Sequence, residues 1–427
     1  MQDLTAMTTK YLRIILKKCS KSLLINHYLI TIAILVAGCS TATTGNVGED
    51  IPWKTYLFNK ERANSTSQGI NLPIKHYRNF GLWSFSEFFL PYNPIRTSSP
   101  VVTDGIIYIG SGSKRLYALD LIKKKVLWHF DTSGYIETSP TLDREVVFFG
   151  TGDGIIYSLD RISGKELWRF QAKAEILSSP LTMGDMVYFA SADDRLYGLD
   201  FKTGKVKWQH GMISSRSVGS RIFASPAGKD GRIYHLFSDG YLLCLDVSSG
   251  RELWKKRVAD TSTIRYSGGR RTPSLFNDKV YVLDSDGAVL MLDVKNGKEI
   301  RKFNIIRADD FLVAEGRIFL ADTGRIIAID INTNDVLWEK KVGNGLSLSL
   351  LRAGEHIFIL SNRQHKPFGI DLFSKKKGYV EALRISDGKK VFDEEIDATI
   401  TANGTVYNNH LLLVADAGFL VIYGQRK

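Results

Sequence analysis

The sequence predicts an all-β chain: an eight-bladed β-propeller of four-stranded antiparallel blades, closed by an N-terminal strand. Three observations predict it. A short motif ending in Asp, with Trp eight residues further on, returns at steps of about 40 residues, the signature of propeller blades. A Ser-Pro or Thr-Pro pair keeps step with it at Pro100, Pro140, Pro180, Pro226 and Pro273. Fourth-strand positions number eight, while the last repeat, from about Ile400 to Tyr423, holds only three strands.

The repeats run as follows. Tyr117-Ala118-Leu119-Asp120 leads to Trp128, Tyr157-Ser158-Leu159-Asp160 to Trp168, and Tyr197-Gly198-Leu199-Asp200 to Trp208. Leu243-Cys244-Leu245-Asp246 leads to Trp254, Met291-Leu292-Asp293 to Arg301 in the Trp place, and Ala328-Ile329-Asp330 to Trp338. A degraded copy, Ala382-Leu383-Arg384, leads to Phe392. In the second repeat the strands fall at roughly 137–142, 145–150, 155–160 and 165–170. Asp153-Gly154, Asp239-Gly240 and Asp286-Gly287 supply the positive φ of tight hairpins between the middle strands. Ser163-Gly164, Thr203-Gly204, Ser249-Gly250 and Asn296-Gly297 turn the third strand into the fourth. The segment around Trp83 reads as a fourth strand with nothing before it to complete, so it is expected to close the last blade. Ring closure removes the open sheet edge that burdens β-proteins. The repeat gives residues 51–80 no place, beyond added edge structure or packing under the ring.

The N-terminus reads as an export signal. Lys10, Arg13, Lys17, Lys18 and Lys21 precede an apolar stretch over 28–38 that is too short to span a bilayer. The stretch ends in Val36-Ala37-Gly38-Cys39, which resembles the bacterial lipobox. That resemblance implies cleavage before Cys39 and acylation of its thiol, and several acyl chains anchor stably. Ser40, where Asp would favour the inner membrane, implies sorting to the outer membrane, at its periplasmic face. Residues 40–50, rich in Thr, Gly and Asn, read as a flexible tether. The expected division is a signal peptide over 1–38, an anchored tether and unplaced segment over 39–80, and the propeller over 81–427.

Composition excludes several classes. The formal charge is +12, scattered through loops without a basic stripe or interleaved aromatics, so no nucleic-acid partner is expected. Cys19 lies in the export segment and Cys39 is the lipid site, which leaves Cys244 alone, a small buried hydrophobe in a strand. His residues 129, 210, 235, 356, 365 and 410 fall singly, without metal-ligand spacing, and no Gly-x-Ser-x-Gly nucleophile motif occurs. No metal, cofactor or catalytic residue is assigned.

The repeat, small-Leu-Asp-x-x-x-Gly-Lys-x-x-Trp, resembles the tryptophan-docking repeat of quinoprotein-like propellers over about residues 83–423. The resemblance implies that Trp83, Trp128, Trp168, Trp208, Trp254 and Trp338 are structural docking residues between blades. One branch of that family is enzymatic and holds pyrroloquinoline quinone and a metal in the ring centre; its alcohol-oxidising members carry an adjacent Cys pair, which this sequence lacks. The other branch is non-catalytic, a lipoprotein subunit of the machine that inserts β-barrel proteins into the outer membrane. It is similar to this chain in lipobox, length, repeat count and ring closure. In that branch an Arg in the long loop before a Ser/Ala-Pro strand contacts the barrel-insertion subunit, and the matching residue is Arg221. The next loop there carries Asp-x-Asp, where this chain has Ser267-Gly268-Gly269-Arg270-Arg271, so the local charge is reversed.

Three long loops could carry function: 209–225, 255–272 and 361–378. The second is basic, through Lys255, Lys256, Arg257, Arg265, Arg270 and Arg271, and suits either a solvated face or an acidic partner. The third sets Phe368 and Phe373 beside Lys375, Lys376 and Lys377, and reads as a finger touching a partner or headgroups, or as a disordered insertion. The expectation is a non-enzymatic scaffold, a monomeric propeller within a complex. The alternatives are a quinone-dependent dehydrogenase and an envelope glycan-binding module.

Overall fold

In the computed structural model, residues 51–82, 98–211, 224–259, 271–322, 324–343, 346–365 and 375–425 are described. They form eight sheets, each a blade of four antiparallel strands counted from the ring axis outward. Blades 1 to 7 follow chain order over 101–131, 141–171, 181–211, 227–257, 274–303, 310–341 and 346–396. Blade 8 takes its three inner strands from 405–424 and its outermost strand from Lys75–Gly81, in the order expected of an N-terminal closure.

The closing strand has a different register from the one read around Trp83. In every complete blade a bulge in the fourth strand precedes the Trp place, as between Val126 and Trp128. In the closing strand the same bulge falls between His76 and Arg78, so Arg78 stands in the Trp place of blade 8.

Alternation explains the strands. In Arg115–Asp120 the four central residues are buried and the ends half-exposed, because the third strand is covered on both faces by neighbouring blades. The fourth strands are the most exposed of each blade and read exposed-exposed-buried up to the Trp place, as in Glu166–Gln171, even where the exposed residue is apolar, as at Leu167. Cys244 is buried in blade 4, and burial pushes its thiol up to about 12.

Candidate functional site

The docking residues form an outer belt. Trp128 Nε1 donates to the Arg161 carbonyl of the next blade at 3.1 Å. Trp168, Trp208, Trp254 and Trp338 do the same to Phe201, Val247, Val294 and Ile385, at 2.9, 3.1, 3.0 and 2.9 Å. Each indole lies on a glycine of that neighbour: a Cβ added to Gly204 would stand 2.5 Å from the ring of Trp168. Arg301, in the Trp place of blade 5, donates from Nη1 to the Ile331 carbonyl at 2.7 Å, so a guanidinium makes the bond an indole makes elsewhere.

The Ser/Thr-Pro landmark builds an inner belt. Ser99 N donates to Ser139 Oγ at 2.9 Å, Ser139 N to Ser179 Oγ at 3.0 Å, Ser179 N to Ser225 Oγ at 2.9 Å, and Ser225 N to Thr272 Oγ1 at 3.0 Å. A hydroxyl is required there to accept the amide of the preceding blade. The Ser/Thr-Pro pair was visible in the repeat, but not the bond its hydroxyl makes.

Residues 53–66 fill the axis that these belts surround. Innermost-strand amides donate inward to this segment: Val102 to the Trp53 carbonyl, Leu142 to Lys54, Gly228 to Lys60, Leu275 to Glu61 and Arg352 to Asn64, at 2.7 to 3.0 Å. Blades 1, 2, 4, 5 and 7 are thereby bound to one stretch of chain. Ser65–Thr66 then adds a parallel strand inside blade 7. Trp53 and Arg62 are each only 1% exposed.

Arg62 is the centre of this plug. Its Nε donates to the Pro226 carbonyl at 2.9 Å, Nη1 to Thr55 Oγ1 at 2.7 Å and the Tyr56 carbonyl at 2.8 Å, and Nη2 to the Pro180 carbonyl at 2.9 Å and Ser179 at 3.3 Å. Burial pushes the guanidinium down to about 9, which leaves it charged at neutral pH. Carbonyl dipoles and a hydroxyl, in place of a carboxylate, hold the charge.

The ring has two unlike faces. The first is made by the turns joining strands 1 to 2 and 3 to 4. The chain enters the described fold here, beside a cleft of about 280 Å³ lined by Pro52, Lys54, Asp104, Arg144, Glu145 and Arg161. Arg161 bridges Asp104 and Glu145, each at 3.0 Å. The second face carries the connections between blades and the turns joining strands 2 to 3. The loops after Gly211 and Arg257 begin on it, and so does a long hairpin of blade 7 in which His356–His365 pairs with Lys375–Arg384 out to the His365–Lys375 pair. Within the insertion at 361–378, residues 361–365 and 375–378 are β-ladder and 366–374 lie outside the described residues; the base is fixed by Arg363 on Glu381 and Lys377 on Glu395.

Cys39, Trp83, Arg221, Arg270, Phe368 and Phe373 lie outside the described residues. Arg271 is described and differs from expectation: it is 7% exposed, near Asp284, and burial lowers its pKa. The plug and Arg62 escaped the sequence reading, because irregular backbone pairing leaves no periodic trace.

Among the described residues no group of three or more His, Cys, Asp or Glu could hold a metal ion. No curated protein sequence matches the chain. Solved structures do. BamB from Moraxella catarrhalis superposes with a TM-score of 0.65 at 17% identity, covering 83% of this chain and 100% of that one. Quinohemoprotein alcohol dehydrogenase from Comamonas testosteroni gives 0.70 at 13% identity, over 88% and 81%. A europium-containing methanol dehydrogenase gives 0.68 at 12% identity, over 88% and 98%. These likenesses establish the propeller and leave the choice between scaffold and enzyme to other observations. The family model described as outer membrane protein assembly factor BamB matches residues 80–303 and 215–389. On that match, together with the docking belt and the closing strand, the chain belongs to the BamB family of PQQ-like propellers.

Proposed function

We propose that this chain is a non-enzymatic scaffold. It is anchored through Cys39 at the periplasmic face of the outer membrane and holds a protein partner in the insertion of β-barrel proteins. Residues 1–38 serve as the export signal and 39–50 as the tether. The observation that carries the non-enzymatic reading is the plug. A quinone and its metal need the ring centre, and here residues 53–66 occupy it, with a cation and backbone amides where acidic ligands would be required. The donor set does not fit the cofactor.

The second face supplies the partner surface. The segments bearing Arg221 and Arg270 leave from that face, and the blade 7 hairpin ends there. Family membership directs the search to the barrel-insertion subunit.

Crosslinking in the native envelope, followed by purification and mass spectrometry, tests the assignment. Recovery of a barrel-insertion subunit supports the assembly role. Recovery of other envelope proteins alone removes that role and leaves the ring intact. Adding pyrroloquinoline quinone with calcium is expected to leave the melting temperature unchanged; a clear rise, or quinone-dependent dye reduction, would sink the scaffold reading.

A further inference from the structure

We propose that the corner of the first face formed by blades 1 and 2 is a lipid-contact surface, whose outer turn tips rest in the headgroup region of the membrane. The proposal rests on the anchor reading above and adds an orientation to it.

The chain builds the turn between strands 3 and 4 seven times over. The carboxylate of the motif Asp accepts the amides just after it, as Asp120 accepts those of Ile122 and Lys123, and so fixes the tip. Two residues after the motif position the side chain stands in solvent. Blades 3 to 7 place Lys202, Ser248, Lys295, Asn332 and Ser386 there. Blades 1 and 2 place Ile122 and Ile162, exposed by 78% and 57%. Five polar copies show that the turn needs no apolar side chain. Apolar side chains are also exposed on fourth strands around the ring, Leu167, Val206, Leu253, Ile300 and Val336 among them, but at these turn tips only the two isoleucines are, and they project furthest into solvent.

Their position points to a bilayer. The plug enters the ring between the same two blades and on the same face, since Pro52 and Lys54 line the cleft with Asp104 and Arg144. Eleven residues, 40–50, separate Cys39 from the described fold, a reach of about 40 Å fully extended. A short tether attached at this corner favours its approach to the bilayer over that of the opposite face.

Charge agrees. Lys123, Lys124 and Lys125 follow Ile122 directly, and Lys165 follows Ile162 by three residues. Lys123 and Lys125 are exposed, and Lys124 Nζ lies 4.0 Å from the centre of the Tyr77 ring. The acids close by are engaged: Asp104 and Glu145 pair with Arg161, and Asp120 caps its own turn. An apolar tip ringed by lysines suits an anionic bilayer surface, where Lys side chains interact with headgroups and apolar side chains enter the boundary.

The test uses the full acylated chain, reconstituted in vesicles of phosphatidylethanolamine and phosphatidylglycerol that include a photoactivatable phosphatidylglycerol. Crosslinked peptides are mapped by mass spectrometry. Crosslinks at residues 121–126 and 161–165 are expected, and I122S with I162S should lower them several-fold while the protein still floats with the vesicles. K125Q, which leaves the Asp120 cap and its 3.7 Å ion pair with Lys123 alone, should lower the docked-to-undocked ratio about fivefold. Melting curves of all variants guard against misfolding. Flotation without crosslinks at the tips overturns the docking surface and leaves the anchor standing. Crosslinks on the opposite face, or at the tips only when a protein partner is added, overturn it too. Failure of the wild-type chain to float overturns the anchor and the docking surface together.

Discussion

Asn334 holds a φ of 69° at the outer turn of blade 6, in the place that Gly164, Gly204, Gly250, Gly297 and Gly388 take in blades 2, 3, 4, 5 and 7. Lys124 holds the same place in blade 1, at 57°. The exceptions have one cause. The glycines are needed because an indole from the preceding blade lies on them, and blades 6 and 1 are preceded by the two with Arg in the Trp place, Arg301 and Arg78. Without an indole, a Cβ is tolerated. R301W should therefore destabilise the protein, and adding N334G should restore much of the loss, with a coupling of about 1–3 kcal/mol in a double-mutant cycle read by denaturant unfolding. G250A, which drives a Cβ into Trp208, should cost about 1–3 kcal/mol by the same measurement. The turn carboxylates give a pH dependence. Hydroxyls and amides of Ser248 and Ser249 hold Asp246 down at about 2, and Asp160, Asp200 and Asp330 are lowered likewise. A depressed carboxylate adds stability above its ordinary value, near 4, and loses it as pH falls towards 2. The melting temperature should drop across that window, and D246N should flatten the drop.

At the scale of elements, strands with a repeated environment were legible and the single-use segment was not. The blades announce themselves because each third strand is buried on both sides and each Trp meets the same carbonyl. The closing strand was legible as a need of the ring but misplaced by five residues, since Trp83 offered an aromatic and the residue in register is Arg78. The plug uses backbone groups for its pairing, so its side chains carry no pattern, and Arg62 looks like any loop arginine until five acceptors surround it. R62M tests its weight. Removing the cation strands the carbonyls of Ser179, Pro180 and Pro226 in a dry centre, at about 3–5 kcal/mol, visible as an early denaturation midpoint. R62K should recover little, because one ammonium cannot span the same acceptors.

At the scale of the whole molecule, the two faces divide the labour. Entry of the chain, the exposed isoleucines and the lysine tips share one face, while the long connections and the blade 7 hairpin share the other. The proposed membrane-held scaffold needs that separation. Shortening the hairpin to a tight turn between Gln364 and Lys376, which keeps the Arg363 and Lys377 pairs, should leave the melting temperature within a few degrees and reduce partner recovery, if the second face is the one that binds.

Lys75 lies opposite Gly424 in the closed blade, and the plug ahead of it is gripped by blade 7. An exported chain emerges N-terminus first, so its earliest residues wait for its latest. Until the final strand has crossed, blade 8 is an open edge, and the segment meant for the axis has only some of its walls. Such distant pairings form slowly. The ring is therefore a structure that cannot be assembled piecemeal during secretion. On the proposed export reading its half-emerged chain is a natural client for chaperones, and in any setting the loss of a few C-terminal residues would unfasten its beginning as well as its end.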